Sequence, residues 1–210
     1  MGSNKSALLS EDDVQIICQE TGFTPEELQR LYGRFQDLEK RDPPLGYITR
    51  KELLNIREVA VNPLGERLID VILQDHGKVS IQQHLFETKR KYSSFKGDTN
   101  KINFRQFANM FALFRRDKAP TNLHKREKKL LFLFSLYDRN HDSNIDRNEL
   151  IEILKLMVGG NINDEQISTI ADHTIGELDV NGDLKITFEE FCATLSRIHI
   201  DEKMSMKFPS

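Results

Sequence analysis

Apolar residues recur at intervals of three and four along most of the chain. Leu28, Leu31, Tyr32, Phe35 and Leu38 form one such stripe, and Leu64, Leu68, Ile69 and Ile72 another. Phe107, Met110, Phe111 and Phe114 follow, then Leu130, Leu131, Phe134 and Tyr137. Leu150, Ile153, Leu154 and Met157, then Ile167, Ile170, Ile175 and Leu178, and finally Phe191, Leu195 and Ile198 complete the series. This spacing lays each set on one face of an α-helix. Start signals sit where the stripes begin. Ser10 precedes the acids Glu11, Asp12 and Asp13, and predicts a short helix through Cys18. Thr24-Pro25-Glu26-Glu27 is a capping box with proline at the first helical position. Thr49 with Glu52, Asn163 with Gln166 and Thr187 with Glu190 repeat the box, and Gly159-Gly160 reads as a helix stop.

Two loops between the later helices carry chemistry. Asp138 to Glu149 and Asp179 to Glu190 both fit the twelve-residue calcium loop of an EF-hand. In that loop, positions 1, 3 and 5 give side-chain oxygens and position 7 a backbone carbonyl, with water often at 9 and a bidentate Glu at 12. The expected calcium ligands of loop 3 are Asp138, Asn140, Asp142, Asn144 and Glu149; those of loop 4 are Asp179, Asn181, Asp183, Lys185 and Glu190. Asp146 and Thr187 stand at position 9. The loops start 41 residues apart (179 − 138), and each has isoleucine at position 8, Ile145 and Ile186, suited to a short strand pair. Both depart from the motif at position 6, where Ser143 and Leu184 replace glycine. A left-handed non-glycine residue costs roughly 1–2 kcal/mol, enough to weaken binding by about tenfold. Loop 3 has four acids against three, so it is expected to bind calcium more tightly.

The first half repeats the plan without the ligands. Counting back from Glu52 as position 12 puts Ile48 at 8, Gly46 at 6, Pro43 at 3 and Arg41 at 1. This hand is expected to be structural and metal-free. Two segments compete as the strand of the second hand, Val79-Ser80-Ile81 and Ile102-Asn103-Phe104. Ile102 is the preferred partner of Ile48. Its loop, with Phe95 at position 1 and Gln106 at 12, cannot hold calcium, and residues 74–100 become an insertion carrying Lys89, Arg90 and Lys91. The expected fold is all-α, four EF-hands in two paired lobes with short strand pairs between loops. The divisions are an N-terminal segment 1–23, an N-lobe 24–116, a linker 117–124, a C-lobe 125–200 and a tail 201–210.

Composition narrows the function. The chain has 210 residues and a net charge of −3, so no global basic field favours nucleic acid. Cys18 and Cys192 fit no metal or redox motif, which makes reduced thiols in an intracellular compartment the default. There is no signal-peptide core and no apolar run of the ~18 residues needed to span a membrane. No nucleophile triad, phosphate loop or HExxH motif is present, so no enzymatic activity is expected. Met1-Gly-Ser-Asn-Lys-Ser6 matches the N-myristoylation signal on Gly2. The basic residues Lys125, Arg126, Lys128 and Lys129 following the linker read as a solvated face or as a patch for anionic headgroups or a partner.

The chain resembles the calcineurin B homologous proteins and, less closely, calcineurin B. The resemblance rests on Glu20-Thr-Gly-Phe23, Arg30-Leu-Tyr-Gly-Arg-Phe35, Asn62-Pro-Leu-Gly-Glu-Arg67 and Ile102-Asn-Phe-Arg-Gln-Phe107. It continues through Met157 to Gln166, Ile170-Ala-Asp172 and the tail Lys203 to Phe208. It implies myristoylation at Gly2 and calcium in hands three and four only. It implies a lipid-anchored adaptor gripping an amphipathic juxtamembrane helix of a plasma-membrane Na+/H+ exchanger, cytoplasmic and peripheral on that membrane or on secretory-pathway membranes. The alternatives are a regulator of the calcineurin catalytic subunit, against which the two ligand-poor loops argue, and a free calcium sensor. Open EF-hand lobes present an apolar groove to such helices. The candidate groove residues are Phe35, Ile72, Phe107, Met110, Phe111 and Phe114 in the N-lobe, and Leu131, Phe134, Leu154, Met157 and Leu195 in the C-lobe.

Overall fold

The computed structural model describes residues 9–41, 43–75, 100–114 and 123–196. Most of them are helical. Helix α1 (Glu11–Thr21) starts where Ser10 accepts the Asp13 N–H, and stops at Gly22 in the left-handed region. Helix α2 (Pro25–Glu39) opens on the expected capping box, with Thr24 and Glu27 each accepting the other's N–H. Strand β1 (Tyr47–Thr49) leads into α3 (Arg50–Leu54) and α4 (Arg57–Ala60). No local residue pattern announces this break in the exiting helix. Asn55 caps α3, and Ile56 turns extended and is buried.

Helix α5 (Gly65–Asp75) follows a turn in which Asn62 accepts the Leu64 N–H through its side chain. A Cβ at Gly65 would lie 2.2 Å from the Val59 carbonyl oxygen, so that close approach requires glycine. Strand β2 (Lys101–Asn103) then pairs antiparallel with β1, with Ile48 opposite Ile102. The second hand therefore closes at Ile102, and α6 (Phe104–Leu113) exits it. The N-lobe core gathers Phe35, Phe104, Phe107 and Phe111 in edge-on and tilted ring contacts, with centroids 4.7–5.5 Å apart. Such geometry suits the quadrupoles of aromatic rings. A bidentate Arg105–Glu20 ion pair ties α6 to α1.

The C-lobe runs through α7 (Leu123–Tyr137), β3 (Asn144–Ile145), α8 (Arg147–Val158), α9 (Asp164–Leu178), β4 (Ile186–Thr187) and α10 (Phe188–Leu195). Ile145 faces Ile186 across β3 and β4. Helix α7 does not belong to one lobe alone. Phe132 and Leu136 join the N-lobe core while Phe134 joins the C-lobe core. Residues two apart on a helix point about 200° apart, so one helix serves both cores and welds the lobes together.

The insertion, apart from its ends at residues 74–75 and 100, falls outside the described residues, as do most of the linker, the tail and Gly2. No helix among the described residues is long and apolar enough to cross a membrane.

Candidate metal centre

Each C-lobe loop is held by the same local bonds. Asp138 Oδ2 accepts the Ser143 N–H at 3.1 Å, and Asp179 Oδ2 accepts the Leu184 N–H at 2.7 Å. Those bonds pull position 6 into a tight turn, and Ser143 and Leu184 both adopt the left-handed region, φ 68° and 63°. The strain expected from the missing glycines is therefore present. Asn140 Oδ1 and Asn181 Oδ1 accept from Asp142 and Asp183, whose own carboxylates accept from Asn144 and Lys185. Positions 1, 3, 5 and 7 of each loop are thus wound round one another in sequence.

The position-12 glutamates close the loops. Glu149 Oε1 accepts the N–H groups of Arg139 and Asn140, and its Oε2 accepts that of Asp146. Glu190 does the same with Val180, Asn181 and Thr187. The backbone and side chain of Thr187, helped by Val180 and Asn181 against the effect of burial, hold Glu190 down to about 2. It is a carboxylate at any physiological pH. Among the described residues no three acidic, histidine or cysteine side chains converge in a metal cluster, and both glutamates are bonded to loop N–H groups. The donor set still fits a hard cation. It is built wholly of oxygens, and the buried Asp138 Oδ1 has no hydrogen-bond partner.

The two loops meet through Lys185. Its Nζ lies 3.4 Å from Asp142 Oδ2, a ligand position of the neighbouring loop. Burial pushes the Asp142 carboxyl up, but the Asn144 N–H, the Asn140 amide and Lys185 outweigh it, and the net direction is down. A lysine on that carboxylate competes with a cation there. Exposed pairs are worth ~0–1 kcal/mol, so Lys185→Gln should tighten loop 3 by up to about fivefold. Terbium luminescence titration of the Glu190→Gln protein, with and without the lysine change, reads this directly.

The first hand shows how a loop without acids at positions 1, 3 and 5 is held together. Arg41, at position 1, donates through Nη2 to the Tyr47 carbonyl at position 7 and, at 3.3 Å, to Glu52 Oε2 at position 12. Its guanidinium makes two of the contacts that a calcium ion would make. The buried Glu39 accepts the N–H groups of Leu45 and Gly46, positions 5 and 6, the task that Asp138 and Asp179 perform at position 6 of their own loops. The loop motif marks Arg41 only as a failed ligand. A cation facing a retained position-12 Glu is the signal that points to its role. Arg41→Ala should lower stability by about 1–2 kcal/mol, the cost of leaving polar partners unpaired. The loss should be the same with calcium or with chelator, as measured by urea unfolding.

The expected groove residues divide. Phe35, Ile72, Phe107, Met110, Phe111 and Phe134 are core, at most 7 % exposed, and offer no open surface. Phe35, Ile72, Phe107, Met110 and Phe111 pack in the N-lobe core and Phe134 in the C-lobe core. Phe114, Leu131, Leu154 and Leu195 are half-buried, and Met157 is 52 % exposed.

Comparison with known proteins settles the family. The EF-hand domain pair family matches residues 127–196, which is the C-lobe. The chain is 35 % identical to the calcineurin B subunit of Naegleria gruberi, over 99 % of both chains. It is 34 % identical to the type 1 calcineurin B subunit of Dictyostelium discoideum and 31 % to the calcineurin B subunit of Schizosaccharomyces pombe, each over 98 % of both chains. The chain belongs to the calcineurin B-like EF-hand family. Calcium binding follows from that membership and from the oxygen loops. In this calcineurin B-like chain both loops that match the twelve-residue calcium motif lie in the half that the domain-pair family matches.

Proposed function

We propose that the chain is a non-catalytic regulatory subunit that binds calcium in loops 3 and 4 and grips an amphipathic helix of a calcineurin-type phosphatase catalytic chain. The observation that carries this reading is the unfinished C-lobe core. A small buried cluster, Phe134, Ile145, Leu150, Ala171, Ile175 and Ile186, forms its centre. Along α8 the apolar face fades, from buried Leu150 and Ile153, through half-buried Leu154, to exposed Met157. Tyr137, Ile151, Leu178 and Phe191 are likewise only partly covered. An apolar face running out of a core in this way is suited to an incoming amphipathic helix. The relatives are named as B subunits of calcineurin, which favours a phosphatase chain over the Na+/H+ exchanger helix. The ligand-poor first loop does not oppose this partner, since Arg41 keeps that hand formed.

Co-purification decides between the partners. The tagged chain should recover a calcineurin-type catalytic subunit in calcium. Recovery of an exchanger tail instead, with the phosphatase left behind, would overturn the assignment.

Gly2 would carry a myristoyl group, placing the protein at the cytoplasmic face of membranes. One such chain gives marginal binding alone, so a second contact must add to it. In the basic stretch after the linker Lys129 is buried and Arg126 donates to the Leu195 carbonyl, which among the described residues leaves exposed Lys128 to face a headgroup. Gly2→Ala should abolish acyl incorporation and release the protein from vesicles while leaving the catalytic chain bound. Intact-protein mass spectrometry and vesicle flotation measure the two effects.

A further inference from the structure

Arg67 lies on α5, in the lobe without calcium ligands, and is 9 % exposed. Its guanidinium reaches across to the end of α7. Nε donates to the Leu136 carbonyl at 2.9 Å, and Nη2 donates to those of Ser135 at 2.7 Å and Asp138 at 2.9 Å. Burial pushes the Arg67 pKa down, but guanidinium starts so high that it stays charged. A helix leaves its last carbonyls without intrahelical donors, and a cation there also meets the negative end of the helix dipole. For α7 that cap comes from another lobe. Its third bond falls on Asp138, the first ligand position of loop 3, whose buried Oδ1 has no partner. Loop 4 lacks the equivalent. Among the described residues no side chain donates to the carbonyls of Gly176, Glu177 or Asp179 at the end of α9.

We infer that Arg67 is a positioning residue for calcium in loop 3: the N-lobe sets the affinity of that site by holding its first ligand from behind. Coupling of this kind is reciprocal. Calcium in loop 3 must then stabilise α5 in return. The lobe without ligands thus belongs to the calcium response of the other lobe. The inference rests on loop 3 taking calcium, as proposed above.

The test uses the full chain in two backgrounds, Glu190→Gln to leave loop 3 and Glu149→Gln to leave loop 4. Arg67→Met should weaken calcium binding at loop 3 by tenfold or more and at loop 4 by less than threefold, read by calorimetry. Arg67→Lys, which brings one ammonium to three carbonyls, should recover only part of the loss. Equal weakening of both sites, or none at either, would overturn the inference. Because Arg67→Met could cost the fold itself, the second measurement leaves Arg67 intact. In the Glu190→Gln protein, calcium should slow amide hydrogen exchange across residues 65–75; unchanged exchange there would equally overturn it. If loop 3 of that protein takes no calcium at all, the binding assignment has failed instead, and the inference falls with it.

Discussion

Changing Glu149 and Glu190 together to glutamine should take calcium uptake from two ions per chain to none. Each change alone should leave one. The position-12 side chain must supply two oxygens and a negative charge to the ion. Here each glutamate also takes three loop N–H groups. Glutamine keeps one oxygen and would turn an amide N–H toward those donors. Bonds to charged groups are worth about 1.5–3 kcal/mol. At about 1.4 kcal/mol per tenfold, each site should weaken on the order of 100-fold. Calorimetry of the unaltered chain showing three or four sites would refute the count, because hands 1 and 2 lack acids at positions 1 and 5.

The second large effect concerns the partner. Met157→Glu should weaken binding of the amphipathic helix by on the order of 100-fold, with calcium stoichiometry unchanged. Burying an apolar side chain contributes roughly 1.5–3 kcal/mol, and burying an unpaired carboxylate in its place adds a penalty of similar or larger size. Met157 is half exposed in the free chain, so the change should leave the core alone. Moderate salt should alter affinity far less, since exposed ion pairs contribute ~0–1 kcal/mol each. Fluorescence anisotropy with a peptide from the catalytic chain, at low and high salt, measures both. Affinity that collapsed in salt yet tolerated Met157→Glu would move the site to the basic stretch around Arg126.

Local rules made much of this legible. The helices, their capping boxes and the β1–β2 and β3–β4 registers follow from short-range spacing. What escaped was long-range. The sharing of α7 between two cores depends on which face meets which lobe, and nothing near Phe132 or Phe134 announces it. Arg67 acts on carbonyls about 70 positions away, and backbone acceptors leave no mark in the residue string. The burial of six groove candidates was hidden for another reason. Helical periodicity marks an apolar face but cannot say whether the chain itself already covers it, as it does for Phe107 and Phe111. The break after α3 was hidden because Asn55 and Ile56 belong to no recognised stop.

A calcium ion can diffuse away; the guanidinium of Arg41 cannot. Tethered to its own loop, it has no dissociation constant to be crossed and no rate of escape into solution. A chelator would therefore draw calcium from the loops of the second half while the guanidinium of the first hand stayed in place. As calcium rises and falls, the partner would meet a surface with one face that keeps time with the ion and another that does not register its passing. A grip begun on the steady face need not be rebuilt from solution at each pulse.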